Sequence, residues 1–180
     1  MTIINSIKSY VVSRLKFPNN HKTVMRFTIA FICFLFVCLI NGSIPFLLLP
    51  TLGQSIGSTI GWAQAFINES LFSIHSYNFG YPEPAARSFG LLGVLVVSIF
   101  MRLGIHGAEA YSLMIVCFLG LAYYSAFSIC RIYKLNYLTS NLMGTLWLTM
   151  PIVWAHSSYS MLSVGIALLP FYFLIFIKLF

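Results

Sequence analysis

Acidic residues are almost missing from this 180-residue chain: it has three Asp plus Glu, all of them Glu (Glu69, Glu83, Glu109), and no Asp. Charge of either sign is scarce, at 7% of residues against 59% hydrophobic and 17% aromatic, with a mean hydropathy of +0.92. That balance excludes a water-soluble globule of this size, which would have too little polar surface to cover its core. Also lacking is the strict apolar–polar alternation of a barrel strand; the apolar residues instead come in blocks broken by Gly, Pro and charge. In hydrocarbon each such block must satisfy its own backbone as a helix. The expected fold class is therefore all-α, a polytopic transmembrane helical bundle with interfacial amphipathic helices.

Soluble-enzyme signatures are absent too: there is no Gly-rich phosphate loop, no GxSxG, no HExxH and no zinc spacing. The four cysteines, Cys33, Cys38, Cys117 and Cys130, lie in apolar segments without CxxC spacing, and read as buried packing residues. No metal site and no cofactor is expected. The net charge of +7 would suit nucleic acid in a soluble domain, but these cations flank apolar blocks, where they set topology and meet anionic lipid. The expected partner is the lipid bilayer, not nucleic acid.

Residues 3–16 place Ile3, Ile4, Ile7, Val11 and Leu15 on one helical face, so residues 1–25 read as a cytoplasmic interfacial amphipathic helix that Pro18 breaks. Phe27–Pro50 is a 24-residue apolar run, enough to cross about 30 Å of hydrocarbon. Residues 51–87 read as a loop of weak amphipathic character (Ile56, Ile60, Ala63, Phe66, Ile67), closing on Tyr81-Pro82-Glu83-Pro84, where the second Pro disfavours helix at the acid.

Phe89–Met101 decides the topology, because its 13 apolar residues fall short of a usual span. If it crosses, six basic residues lie inside and four outside; if it rests along the outer surface, eight lie inside and only Arg87 and Arg102 outside. The positive-inside rule favours the second arrangement. The expectation is four crossings with the N-terminus cytoplasmic, at about 27–50, 108–130, 137–155 and 161–180 within a transmembrane domain of residues 26–180, the outer loop and juxtamembrane helix filling 51–107. Gly42, Pro45, Pro50, Gly144, Pro151, Gly165 and Pro170 interrupt the spans, where kinks are expected. The bare apolar end at Phe180 points to a larger parent protein, or to a partner that covers the last helix.

This topology gathers the chemistry-bearing residues on the outer side: Glu69, His75, Glu83, Arg87, Arg102, His106, Glu109 and His156. A carboxylate there can act as general base on a hydroxyl, with Arg or His neutralising a lipid phosphate. Plainer roles compete. Glu69 and Glu83 also suit solvated loop carboxylates, and Arg87 and Arg102 interfacial anchors. Glu109, two residues after Gly107, suits a helix start favoured by the dipole, and His156 a structural hydrogen bond beside the interfacial aromatics Trp154 and Tyr159. Asn68-Glu69-Ser70 and Asn41-Gly42-Ser43 match the N-glycosylation triplet.

A first span, a long outer loop, a span ending in the basic turn SICRIYKL (128–135) and a short return span near Pro151 follow in order. With the stretches NFGYPEPAARSFGL (78–91) and SSYSMLSVG (157–165), that order resembles the N-terminal part of a GT-C-type polytopic membrane glycosyltransferase and the YfhO-like bacterial membrane proteins. The resemblance implies a multi-pass bacterial inner-membrane protein that moves a sugar from a polyprenyl-phosphate-linked donor to cell-envelope glycan on the outer face. Glu69 or Glu83 would stand as the catalytic base where that family most often has Asp, and Arg87, Arg102, His75, His106 and His156 would bind substrate. The alternative is a non-enzymatic small membrane protein, a subunit or an exclusion or immunity factor, that packs its C-terminal helix on a membrane protein partner. A transporter fits less well, because no charge pair lies within a span.

Overall fold

The computed structural model describes residues 21–47, 53–69, 75–76, 85–86, 91–153 and 165–179. Helices dominate these residues: α1 His21–Ile40, α2 Gly53–Asn68, α3 Leu91–Arg102, α4 Gly107–Ile132, α5 Tyr137–Thr149 and α6 Leu169–Leu179. The only strand pairing among them is a two-residue antiparallel ladder in which β1 (His75–Ser76) meets β2 (Ala85–Ala86), His75 opposite Ala86. The expected interfacial helix at 3–16 lies outside the described residues.

Among the described residues two helices are long and apolar enough to cross a membrane, Thr23–Ile40 within α1 and Gly107–Ile132. At 1.5 Å per residue they extend about 27 and 39 Å. The first stops well short of Pro50: Asn41-Gly42 ends it, with Gly42 at φ +63° and a chain of turns through Leu47. The apolar run from Phe27 is continuous in hydropathy, but the backbone is not, because the residue with no Cβ takes the left-handed position that closes a helix. The segment 51–87, expected as a loop, contains the 16-residue helix α2. Its apolar spacing fits a helix seated on neighbours: Trp62, Ala63, Ala65 and Phe66 are buried.

α3 is 12 residues long, about 18 Å, too short to span. It buries Gly93, Val94, Val97 and Ser98 and packs against α2 and α4. A four-residue turn through Gly104, φ +86°, joins it to α4. α4 is the central post, contacting α2, α3, α5 and α6, as well as α1. Its Ala110, Tyr111, Met114, Ile115, Leu119 and Ala122 are in the core, together with Val94 and Val97 of α3 and Leu148 of α5.

Small residues set the closest approaches. A Cβ on Gly144 of α5 would stand 3.3 Å from the Tyr123 ring, and one on Gly107 would meet Ile60 Cγ2 at 2.9 Å. Between the helices, polar side chains find one another instead of water. Asn41 Nδ2 donates to Val37 O at 2.9 Å and across to Leu148 O at 3.1 Å. The Ser43 and Ser112 hydroxyls lie 3.0 Å apart, and Tyr123 OH donates to Asn141 Oδ1 at 2.7 Å. Other hydroxyls bond back to their own helix, as with Ser125 to Leu121 O, Thr145 to Asn141 O and Thr149 to Thr145 O. The cysteines are free but not uniformly buried: Cys38 is, Cys33 and Cys130 are half-buried, and Cys117 is exposed. The helical face of Cys117 points outward, which apolar context alone does not reveal.

Candidate functional site

Polar groups collect at the two ends of α4. At its first turn, Glu109 is the one acid, where the helix dipole favours negative charge. Its Oε2 accepts the backbone N–H of Phe46 at 2.6 Å. Phe46 has φ +64°, a conformation that costs a bulky residue energy, so the carboxylate fixes the turn after α1 in a shape it would not hold alone. A helix-end role for this acid is thus joined by a tertiary one, which spacing along the chain could not disclose. His106 precedes it at the N-cap, exposed, without a side-chain cap bond.

The same end carries two more of the expected site residues. Arg102, on the last turn of α3 and four residues before His106, reaches Phe66 on α2, its Nη2 donating to Phe66 O at 3.1 Å. Glu69 follows Asn68, the last residue of α2, and is exposed, its N–H bonded to Ala65 O at 2.8 Å. The α2–α3 pair therefore brings Arg102 and the Glu69 backbone to one corner, through a carbonyl that lies three residues from the acid. Of the other candidates, His75 is placed only as backbone opposite Ala86. Glu83, Arg87 and His156 lie outside the described residues. No group of three or more His, Cys, Asp or Glu side chains among the described residues is placed to hold a metal ion.

The opposite end of α4 is basic. Its last turn carries Arg131, whose Nη1 donates to Leu135 O, and Lys134 follows at φ +62°. Asn136 caps α5, accepting from Thr139 N at 2.8 Å. Tyr137 next to it ties in α1: its hydroxyl donates to Arg26 O at 3.0 Å, and the Arg26 guanidinium lies 5.5 Å from its ring centroid. Arg26, Arg131 and Lys134 thus share one end of the bundle, and Glu109, Arg102, His106 and Glu69 the other. The Tyr137 bridge was not anticipated from the sequence, where an aromatic after a basic turn reads simply as an interfacial residue.

Compared with protein-family models, with curated proteins and with solved structures, the chain finds no match in any of the three.

Proposed function

We propose that the chain is a multi-pass protein of the bacterial inner membrane, N-terminus cytoplasmic, whose outer end accepts a phosphate-bearing, lipid-linked sugar donor in the manner of a GT-C-type glycosyltransferase. One observation carries the membrane part: large apolar side chains cover the outside of α1, with Val24, Phe27, Phe31, Ile32, Phe36 and Leu39 all exposed and Phe27 at 72%. A monomer in water does not hold so continuous an apolar face. Hydrocarbon suits it.

The chemical part rests on the segregation of charge along α4. The positive-inside rule supports the basic end as the cytoplasmic one; Arg102, His106 and Glu69 would then lie together on the outer side. Arg102 and His106 would meet the donor's phosphates. Glu69, with Glu83 as the other acid, would take the proton of the acceptor hydroxyl as that oxygen bonds the sugar's anomeric carbon and the sugar's bond to phosphate breaks, the phosphate leaving on its lipid. Glu69→Gln and Glu83→Gln together, in the membrane-inserted protein, should lower transfer to envelope glycan by about 10²–10⁴-fold, the usual contribution of a general base. Undiminished transfer in the double variant refutes the assignment.

A second reading is favoured by Glu109, an acid at the same end that is engaged in holding the turn at Phe46. If the outer end is built for shape and not for reaction, the chain acts by packing its apolar helices on a membrane partner. Isolation in mild detergent separates the two: a second polypeptide at fixed stoichiometry supports packing, and a lone monomer that turns over donor supports transfer.

A further inference from the structure

The basic end holds a feature that the outer-face reading does not use. A groove of about 380 Å³ runs between α4, α5 and α6, its walls including Ala126 and Cys130 of the first, Tyr133 just after it, Trp147 of the second, and Pro170 and Ile177 of the third. Tyr133 is 70% exposed, so the groove opens at the Arg131–Lys134 turn. Three exposed cations adjoin its wall in sequence: Arg131 follows Cys130, Lys134 follows Tyr133, and Lys178 follows Ile177. Among the described residues no carboxylate offsets them, since Glu109 sits at the far end of α4 and Glu69 at the end of α2.

We infer that this groove is a binding site for an anionic phospholipid of the cytoplasmic leaflet, with an acyl chain along the apolar walls and the headgroup phosphate at Arg131, Lys134 and Lys178. The inference rests on the membrane reading above and on its orientation. Charge complementarity selects the occupant. A zwitterionic lipid would gain the apolar contact but leave the cations unmatched, and a soluble anion would gain the charge but not the walls. Basic pockets between membrane helices on the cytoplasmic side take anionic headgroups for this reason.

Trp147 reports on the groove directly. In the full chain carrying Trp62→Phe and Trp154→Phe, it is the one remaining tryptophan. Reconstituted in phosphatidylcholine nanodiscs, its fluorescence should be quenched by phosphatidylglycerol with brominated acyl chains at a mole fraction several-fold below that needed with brominated phosphatidylcholine. Replacing the cations together (Arg131→Gln, Lys134→Gln, Lys178→Gln) should erase that preference. Native mass spectrometry of the wild-type chain gives a second readout: one phosphatidylglycerol retained through delipidation, and none in the triple variant.

Equal quenching by the two lipids, or a preference that survives the triple substitution, overturns the site while leaving the membrane reading in place. A dimeric chain in which neither lipid quenches assigns the groove to a second copy and also overturns it. If instead the chain fails to float with vesicles, the membrane reading itself falls.

Discussion

Three helices end on the same backbone device. After α1, α3 and α4 the chain makes paired bonds back into the last turn: Ser43 N to Cys38 O with Gly42 N to Leu39 O, Ile105 N to Phe100 O with Gly104 N to Met101 O, and Leu135 N to Cys130 O with Lys134 N to Arg131 O. Each needs one residue at positive φ. The first two use glycine and the third uses Lys134, at φ +62°. Lys134→Gly should therefore stabilise the protein by about 0.5–1 kcal/mol, while Gly104→Ala should cost about 1 kcal/mol or more. A Cβ at Gly104 meets nothing within 4 Å, so its penalty is conformational and not steric. Denaturant titration in detergent micelles checks both signs. Tyr123→Phe tests a different bond. It leaves Asn141 Oδ1, on a fully buried residue, without its donor, and should cost about 1–2 kcal/mol, the upper part of the range for such bonds between membrane helices. In the sequence Gly42 reads as a kink inside a span that runs to Pro50, not as a stop. Nor was the lysine legible, because a basic residue after a helix is equally well explained by the dipole or by topology.

Helix existence was legible where apolar length was decisive, as in α4, and misread where length and polarity disagreed. α2 is the clear case: Gly53, Ser55, Gly57 and Ser58 weaken intrinsic helicity, and the segment reads as loop until its neighbours are counted. Trp62, Ala63, Ala65 and Phe66 form a stripe that α3 and α4 cover, and tertiary burial overrides propensity. The boundary of α1 failed for the opposite reason, since hydropathy continues through Leu49 while the backbone turns at Gly42. Packing between elements gives a direct test. Gly144→Val sets new methyl groups against the Tyr123 ring, 3.3 Å from the site of the first added atom, and should destabilise the α4–α5 pair by about 1–3 kcal/mol through overpacking. Gly57→Ala in α2, where nothing lies within 4 Å, should instead stabilise by up to about 1 kcal/mol. Opposite shifts in the same melting assay would show that close approach, and not glycine content, is what α5 requires.

For the whole molecule, charge segregation along α4 is the property on which the proposed orientation and the proposed function both rest. The sequence shows it only as the basic turn SICRIYKL (128–135) at one end and Glu109 at the other. What could not be read was the wiring of the two ends: Tyr137 to Arg26, Arg102 to Phe66, and Glu109 to Phe46 join residues 36 to 111 positions apart. Such long-range pairs have no local signature. They do make the two ends rigid references for a topology measurement. With Cys33, Cys38, Cys117 and Cys130 replaced by Ser or Ala, a single cysteine at Lys134 should resist a membrane-impermeant maleimide in intact cells and react after permeabilisation. One at Glu69, on the far end, should react without permeabilisation. The energetic basis is that anchoring cations hold to the cytoplasmic side, each favoured there by about 1 kcal/mol near an anionic leaflet, and Arg26, Arg131 and Lys134 act together. Labelling of Lys134→Cys from outside would invert the bundle, carry Arg102, His106 and Glu69 into the cytoplasm, and remove them from any donor presented on the outer face.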